Sequence, residues 1–185
     1  DGRDVITGGI DNDVIYGDDL NAPAAQSARA GTAGALTAQN FAAMWSGVDV
    51  TARNVNANGS LTSASASNVG IHADGIGASG TYANAPWLTA ETGYNPVAGA
   101  SEQLIVSFNQ DVNEASVALS WFFASEGESG RWTVLDDGVV VGGSSFSNTA
   151  GGSDFLLAID PGSAFDTIVF EAMPYANQGS TITDS

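Results

Sequence analysis

The chain has 185 residues, 43% of them hydrophobic and 23 of them glycine, which suits one well-packed domain with many turns. Twenty-one acidic residues stand against four arginines and no lysine, and the formal net charge is −17. This charge excludes nucleic acid and anionic membrane surfaces as expected partners, and no apolar run is long enough for membrane insertion as a helix. The absence of cysteine excludes disulfides and thiolate metal sites.

Residues 1–18 contain an imperfect nine-residue repeat, DGRDVITGG followed by IDNDVIYGD. The overlapping stretch GGIDNDVIY resembles the calcium-binding nonapeptide of RTX proteins, with Asp11 in a place usually held by glycine. Glycines permit a tight turn, and carboxylates with backbone carbonyls supply the oxygens that calcium prefers. We therefore predict an RTX-like segment over residues 1–20; the alternative is a solvated acidic hairpin. The calcium ligands expected here are Asp4, Gly9, Asp11, Asp13, Asp18 and Asp19.

Residues 21–185 are predicted to form a second domain, a ligand-binding β-sandwich. It begins with one short amphipathic helix, because Phe41, Met44, Trp45 and Val48 have helical spacing after a candidate N-cap at Thr37. The following segment VDVTARNV alternates as a strand does. SLTSASASNVGIHA is interpreted as a polar-faced strand that leads into a glycine-rich loop, HADGIGASGTYANAPW.

The second half of the chain carries the strongest strand signals. EQLIVSFNQDV places Leu104, Val106 and Phe108 on one face, and ASVALSWFFAS is predicted as the next strand, before the loop EGESG. RWTVLDDGVVVGG is predicted to be a hairpin that turns at Asp137 and Gly138. DFLLAIDPGSAFDTIVFEAM is predicted to form two strands with a Pro-Gly turn between them. The pattern predicts an all-β fold, an antiparallel β-sandwich of jelly-roll type with one short helix.

Residues 69–185 contain, in this order, the motifs GIG, GYNPVAG, SEQLIVSF, WFFASEGESGRWTV, DGVVVG and FDTIVFEAMPY. This series of motifs is similar to that of the calcium-dependent peptide-binding domain of giant bacterial RTX adhesins. The resemblance implies an extracellular module on the bacterial cell surface, part of a longer multidomain fibre. Such modules hold short peptides or protein C-termini on a target cell and mediate attachment to host or other cell surfaces, as in biofilms. Calcium is the implied cofactor. The chain stops at TITDS, where a further strand is expected.

The sequence does not favour an enzyme. His72 is the only histidine, and GIHAD does not resemble a nucleophile elbow. Glu126 and Glu128 lie two residues apart on a glycine loop, which suits oxygen ligation of a metal ion better than the acid and base of a glycosidase. We expect His72 to be an ordinary loop residue, because calcium prefers oxygen ligands.

The shortage of basic side chains indicates how an anionic ligand is held. A peptide carboxylate is usually bound by Arg, Lys or backbone N–H groups, whereas a bound calcium ion offers a concentrated positive charge instead. Further calcium ligands are therefore expected in acidic loops, where the alternative for each is a solvated carboxylate: Asp74, Glu102, Glu126, Glu128 and Asp184. Glycines allow the backbone of a peptide to approach closely, and aromatic side chains in loops are suited to binding its side chains. These two criteria give the peptide-binding candidates Asp74, Gly75, Ile76, Gly77, Tyr82, Trp87, Tyr94 and Tyr175.

The expected function is calcium-dependent binding of short peptides through their C-terminal carboxylate. Two alternatives stay open at this point. In a carbohydrate-binding, lectin-like module, vicinal hydroxyls of a sugar replace the carboxylate on the metal. In a structural spacer, calcium only rigidifies the fibre.

Overall fold

The computed structural model describes residues 47–72, 75–80, 90–120, 122–149 and 155–174. Within these ranges the chain consists of antiparallel strands, and the helices there are two single turns of 3₁₀ helix, Ala66–Asn68 and Ala124–Glu126. The all-β prediction is thereby confirmed, and neither of these described helices has the length or apolarity to cross a membrane. The RTX-like segment and residues 37–46 of the predicted amphipathic helix lie outside the described residues. Val48, assigned to the same helical pattern, lies in a strand instead.

Eleven strands are described: β1 Val48–Arg53, β2 Val69–His72, β3 Gly75–Ala78, β4 Tyr94–Asn95, β5 Ala100–Ser101, β6 Gln103–Val112, β7 Ala115–Leu119, β8 Ser129–Asp136, β9 Val139–Ser147, β10 Phe155–Ile159 and β11 Phe165–Ala172. Five of them form one sheet in the order β1-β6-β11-β8-β9. The remaining six pair two by two, β7 with β10, β2 with β3 and β4 with β5, and all pairs are antiparallel.

One hydrophobic cluster ties the β7–β10 pair to the five-stranded sheet. Val134 of β8 and Ile168 of β11 are at most 1% exposed, and Leu157 and Ile159 of β10 belong to the same cluster. Side chains alternate along a strand, so Leu156, between the two buried residues of β10, is 70% exposed. Each fully buried aliphatic side chain contributes about 1.5–3 kcal/mol, which makes this cluster the main source of stability in the described part.

Several predicted strands are confirmed. Leu104, Val106 and Phe108 lie on one face of β6 and pack against the hydrophobic cluster. The β8–β9 hairpin turns at Asp137 and Gly138, whose φ angles of 48° and 79° are the positive values that a type I′ turn requires. Gly162, with φ 75°, lies in the turn between β10 and β11. These two strands do not pair with each other: β10 pairs with β7, and β11 pairs with β6 and β8.

Two predicted strands are shorter than expected. Of the described residues 60–72 only Val69–His72 is a strand, because the hydroxyl of Ser65 accepts a hydrogen bond from Ser67 N (3.2 Å) and stabilises a 3₁₀ turn instead. The predicted strand ASVALSWFFAS ends at Leu119. Phe122 lies beyond that end, and its ring packs at 5.5 Å from Phe146, so the apolar run continues the core without continuing the sheet.

The predicted glycine loop also needs correction. Gly75, Ile76 and Gly77 lie in β3, which pairs with β2. Glycine serves there for close packing, since a Cβ on Gly77 would meet the Cα of Glu91 at 2.6 Å. The hairpin is thus covered by the chain's own backbone at residues 90–91.

Candidate functional site

Glu102 lies directly before β6, and only 1% of its surface is exposed. The alternation that turns Leu104 towards the core turns Glu102 to the same side of the chain. Its Oε2 atom accepts a hydrogen bond from Gly93 N (3.1 Å), and its own N–H donates to Gly93 O (2.9 Å). A carboxylate buried this deeply is costly unless its charge is compensated, which makes Glu102 the strongest of the predicted ligand residues.

Gly80 makes room for this carboxylate. A Cβ on Gly80 would overlap Oε1 of Glu102 and would lie 2.8 Å from its Cδ. The same Cβ position is 3.5 Å from Cγ of Asn54, so the Glu102 carboxylate and the Asn54 amide converge beside the Gly80 backbone. Only glycine fits at this position.

Asn54 contributes a second buried oxygen. Its Nδ2 donates to Ser79 Oγ at 3.3 Å, whereas its buried Oδ1 accepts no hydrogen bond within the described part of the chain. Leaving a buried acceptor without a donor costs about 1–3 kcal/mol, so this oxygen is set up for a positively charged or donating group. We call the five residues Asn54, Ser79, Gly80, Gly93 and Glu102 the Glu102 cradle.

The Glu102 cradle fits a hard cation by its donor chemistry. It combines a carboxylate, an amide oxygen and a hydroxyl, and calcium takes six to eight such oxygens, with carbonyls, water and ligand atoms completing the shell. No three Asp, Glu or His side chains among the described residues come together as a metal site. Among the described residues the cradle offers one carboxylate, one amide oxygen and one hydroxyl.

The other acidic candidates are placed differently. Oε2 of Glu128 accepts a hydrogen bond from Phe123 N (2.5 Å) across the single 3₁₀ turn, so this carboxylate holds the EGESG connection together. Glu126 lies inside that turn. The remaining predicted calcium ligands lie outside the described residues: Asp4, Gly9, Asp11, Asp13, Asp18, Asp19, Asp74 and Asp184.

The predicted peptide-binding residues that the structure describes lie in strands rather than in a loop. A Cβ on Gly75 would meet nothing within 4 Å, whereas the space beside Gly77 is filled by residues 90–91. Ile76 pairs with Ile71 and is half-buried. Tyr94 was expected in a loop, but it lies half-buried in β4. Tyr82, Trp87, Tyr175 and Asp74 lie outside the described residues.

A second acidic group lies at the β8–β9 turn, where Asp137 was predicted as a turn residue. Burial, followed by the charges of Asp111, Asp137 and Asp166, raises the pKa of the Asp136 carboxyl above its usual value. Oδ2 of Asp166 accepts a hydrogen bond from Asp137 N (3.1 Å). We call these four aspartates the turn cluster; they give this end of the hairpin a concentrated negative charge.

Both described arginines lie on the sheet face opposite the core. Arg53 and Gln103 are register partners, next in sequence to the core residues Ala52 and Leu104. Arg131 forms an ion pair with Glu171 (2.5 Å), and Gln103 donates to the same carboxylate at 3.0 Å. One described arginine is thus already committed to a carboxylate.

Comparison with protein-family models, curated proteins and solved structures found no match.

Proposed function

We propose that the protein is a calcium-dependent recognition module of an extracellular bacterial adhesin, which binds short peptides through their C-terminal carboxylate and performs no catalysis. The observation that carries the proposal is the Glu102 cradle: a carboxylate exposed by only 1% lies beside the amide oxygen of Asn54, which accepts no hydrogen bond from any described residue. Two sequence features support it: the net charge of −17 and the resemblance to the peptide-binding domain of RTX adhesins.

The residues of the Glu102 cradle divide the work of holding a cation. Glu102 supplies the negative charge, and Gly93 N–H fixes one of its two carboxylate oxygens. Asn54 Oδ1 and Ser79 Oγ supply neutral oxygens, while the missing side chain of Gly80 keeps the space beside them clear. When bound, calcium supplies a compact positive charge to which the terminal carboxylate of a peptide is attracted.

The finer architecture belongs to the same proposal. We infer an antiparallel β-sandwich of jelly-roll type, because the β7–β10 pair shares its hydrophobic cluster with the five-stranded sheet. The sequence of residues 1–20 supports a separate RTX-like calcium segment ahead of the domain. Both features suit a module within a longer surface fibre.

The proposal is tested by peptide binding in calcium. A fluorescent peptide with a free C-terminus is titrated with the protein in calcium, in magnesium and in chelator, alongside the same peptide with an amidated C-terminus. We expect binding of the free acid in calcium alone, and at least about tenfold weaker binding of the amide, because the carboxylate is the group held by the metal.

A matched pair of variants assigns the effect to the cradle. Glu102→Gln keeps the size of the side chain but removes the charge, so it is expected to abolish the calcium-dependent binding. Glu114→Gln changes an exposed glutamate in the same way and is expected to bind normally. Equal binding of acid and amide contradicts the proposal. Competition by monosaccharides points to the lectin, and calcium binding with no ligand at all points to the spacer.

A further inference from the structure

The two edge strands of the five-stranded sheet differ in the hydrogen bonds that their outward backbone groups make to other described segments. At the β1 edge, Ala52 and Ser65 exchange two backbone hydrogen bonds of 3.1 Å, and Thr62 N donates to Asn54 O at 2.9 Å. The amide of Asn68 also donates to Ala52 O at 3.1 Å. The segment that follows β1 therefore folds back over the end of this strand and satisfies the outward backbone groups of Ala52.

The opposite edge of the sheet is formed by β9. Within the described residues β9 pairs with β8 alone, and none of its backbone groups bonds to any other segment. An edge strand presents a row of free N–H and C=O groups along its outer side, and proteins usually protect it with charges, proline or a covering segment. The nine residues Val139–Ser147 include neither a charged residue nor a proline, although the register with β8 shifts at Val141, where β9 has a bulge.

Side chains and charge at this edge favour one kind of occupant. Val139 and Val140, at the start of β9, are 65% and 62% exposed, so an added strand would bury apolar surface there. The turn cluster stands at the same end of the strand, since Asp136 and Asp137 immediately precede Gly138 and Val139. A second copy of the chain brings another 17 negative charges, whereas a basic group is attracted.

We propose that β9 binds an extended peptide as a sixth strand of the sheet, with a lysine or arginine of the peptide beside the turn cluster and β-branched or hydroxyl side chains along the strand. Main-chain hydrogen bonds hold the peptide, and the aspartates select its charge. This inference rests on the proposed function only in taking a peptide as the ligand. The β9 edge requires neither calcium nor a free C-terminus.

The test uses a peptide that the Glu102 cradle cannot hold. The probe is acetyl-Lys-Thr-Val-Thr-Val-Thr-amide, blocked at both ends, added to the ¹⁵N-labelled full chain in calcium at low ionic strength. Backbone amides of β9 are expected to shift and to exchange with deuterium at least about tenfold more slowly, while those of β1 stay unchanged. A peptide methylated on alternate backbone nitrogens lacks the donors for a strand pair and is expected not to bind.

The charge requirement is tested with one conservative substitution. Asp137→Asn removes a negative charge and keeps a residue that tolerates the positive φ of the turn. It is expected to weaken binding of the lysine peptide about threefold at low salt and to strengthen binding of a glutamate-for-lysine peptide, because the charge that attracts lysine repels glutamate. The proposal is overturned if the shifts fall away from β9, if the methylated peptide binds equally, if Asp137→Asn has no effect, or if β9 instead joins two copies of the protein. Since both ends of the probe are blocked, a failure here leaves the free-carboxylate experiment untouched.

Discussion

Gly80 and Glu102 depend on each other more than any other described pair of residues. The substitution Gly80→Ala places a methyl group where Oε1 of Glu102 lies, and the carboxylate is too deeply buried to move aside freely. We expect a loss of about 1–3 kcal/mol in the free energy of unfolding, the usual range for overpacking, measured by urea denaturation.

Gly75→Ala is the matched control. A Cβ on Gly75 meets no atom within 4 Å, and the residue lies in a strand, whose backbone conformation alanine can adopt. Alanine also lowers the conformational entropy of the unfolded chain relative to glycine. Unchanged or slightly raised stability is expected for this variant. Equal losses for both variants would show that Gly80 is not the position that makes room for the carboxylate.

Asp136 gives a prediction about pH. Its pKa is raised in the folded protein by burial and by the turn cluster, so its ionised form is less favourable there than in the unfolded chain. This penalty is absent below the ordinary aspartate pKa of 3.8, where both states are protonated, and is fully present above the raised folded value. Asp136→Asn is therefore expected to raise the melting temperature at pH 7 and to change it little at pH 3. A larger effect at pH 3 than at pH 7 would contradict the assignment.

The sequence pointed to Glu102 but not to its surroundings. An acidic residue just before a strong strand was recognisable as a candidate ligand, yet its burial depends on how β6 packs. Asn54 directly follows a strand and Gly80 ends a glycine-rich stretch. Asparagine and glycine are common at such positions, so the sequence does not distinguish these two residues as functional. Asn54 bonds to Ser79, 25 residues away, and no local sequence pattern encodes such a contact.

At the scale of elements, the β8–β9 hairpin was predictable because its cause is local. Gly138 has φ 79°, and a Cβ there would meet no atom within 4 Å, so the cost of a side chain is purely one of backbone conformation. Gly138→Ala is expected to destabilise the protein by about 1–2 kcal/mol in urea denaturation. Asp137→Asn is expected to be nearly neutral, because asparagine suits the first position of such a turn. A neutral Gly138→Ala would mean that the turn changes type.

The elements that were mispredicted have non-local causes. The strand expected at residues 60–68 is replaced by a segment that folds back on β1 through Ser65 and Asn68. The two glycines of β3 favour a loop in the sequence, but Gly77, together with Gly70 of β2, lets residues 90–91 pack closely over the hairpin. β7 ends early because Phe122 packs on Phe146 instead of extending the strand.

At the scale of the whole molecule, a charge of −17 on 185 residues opposes compaction, and cation binding relieves that repulsion. A ligand that binds only the folded state adds about 2.7 kcal/mol of stability at one hundred times its dissociation constant. Chelation is therefore expected to lower the melting temperature by several degrees, with magnesium restoring less than calcium because it demands a stricter octahedral shell. A melting temperature indifferent to chelator contradicts a structural role for the metal.

The most direct measurement is a crystal structure grown in millimolar calcium with a peptide that has a free C-terminus. We expect an ion about 2.3–2.6 Å from oxygens of Glu102 and Asn54, with the terminal carboxylate of the peptide on the same ion. A cradle without an ion, or a peptide whose carboxylate lies away from the metal, would contradict calcium-dependent recognition at Glu102.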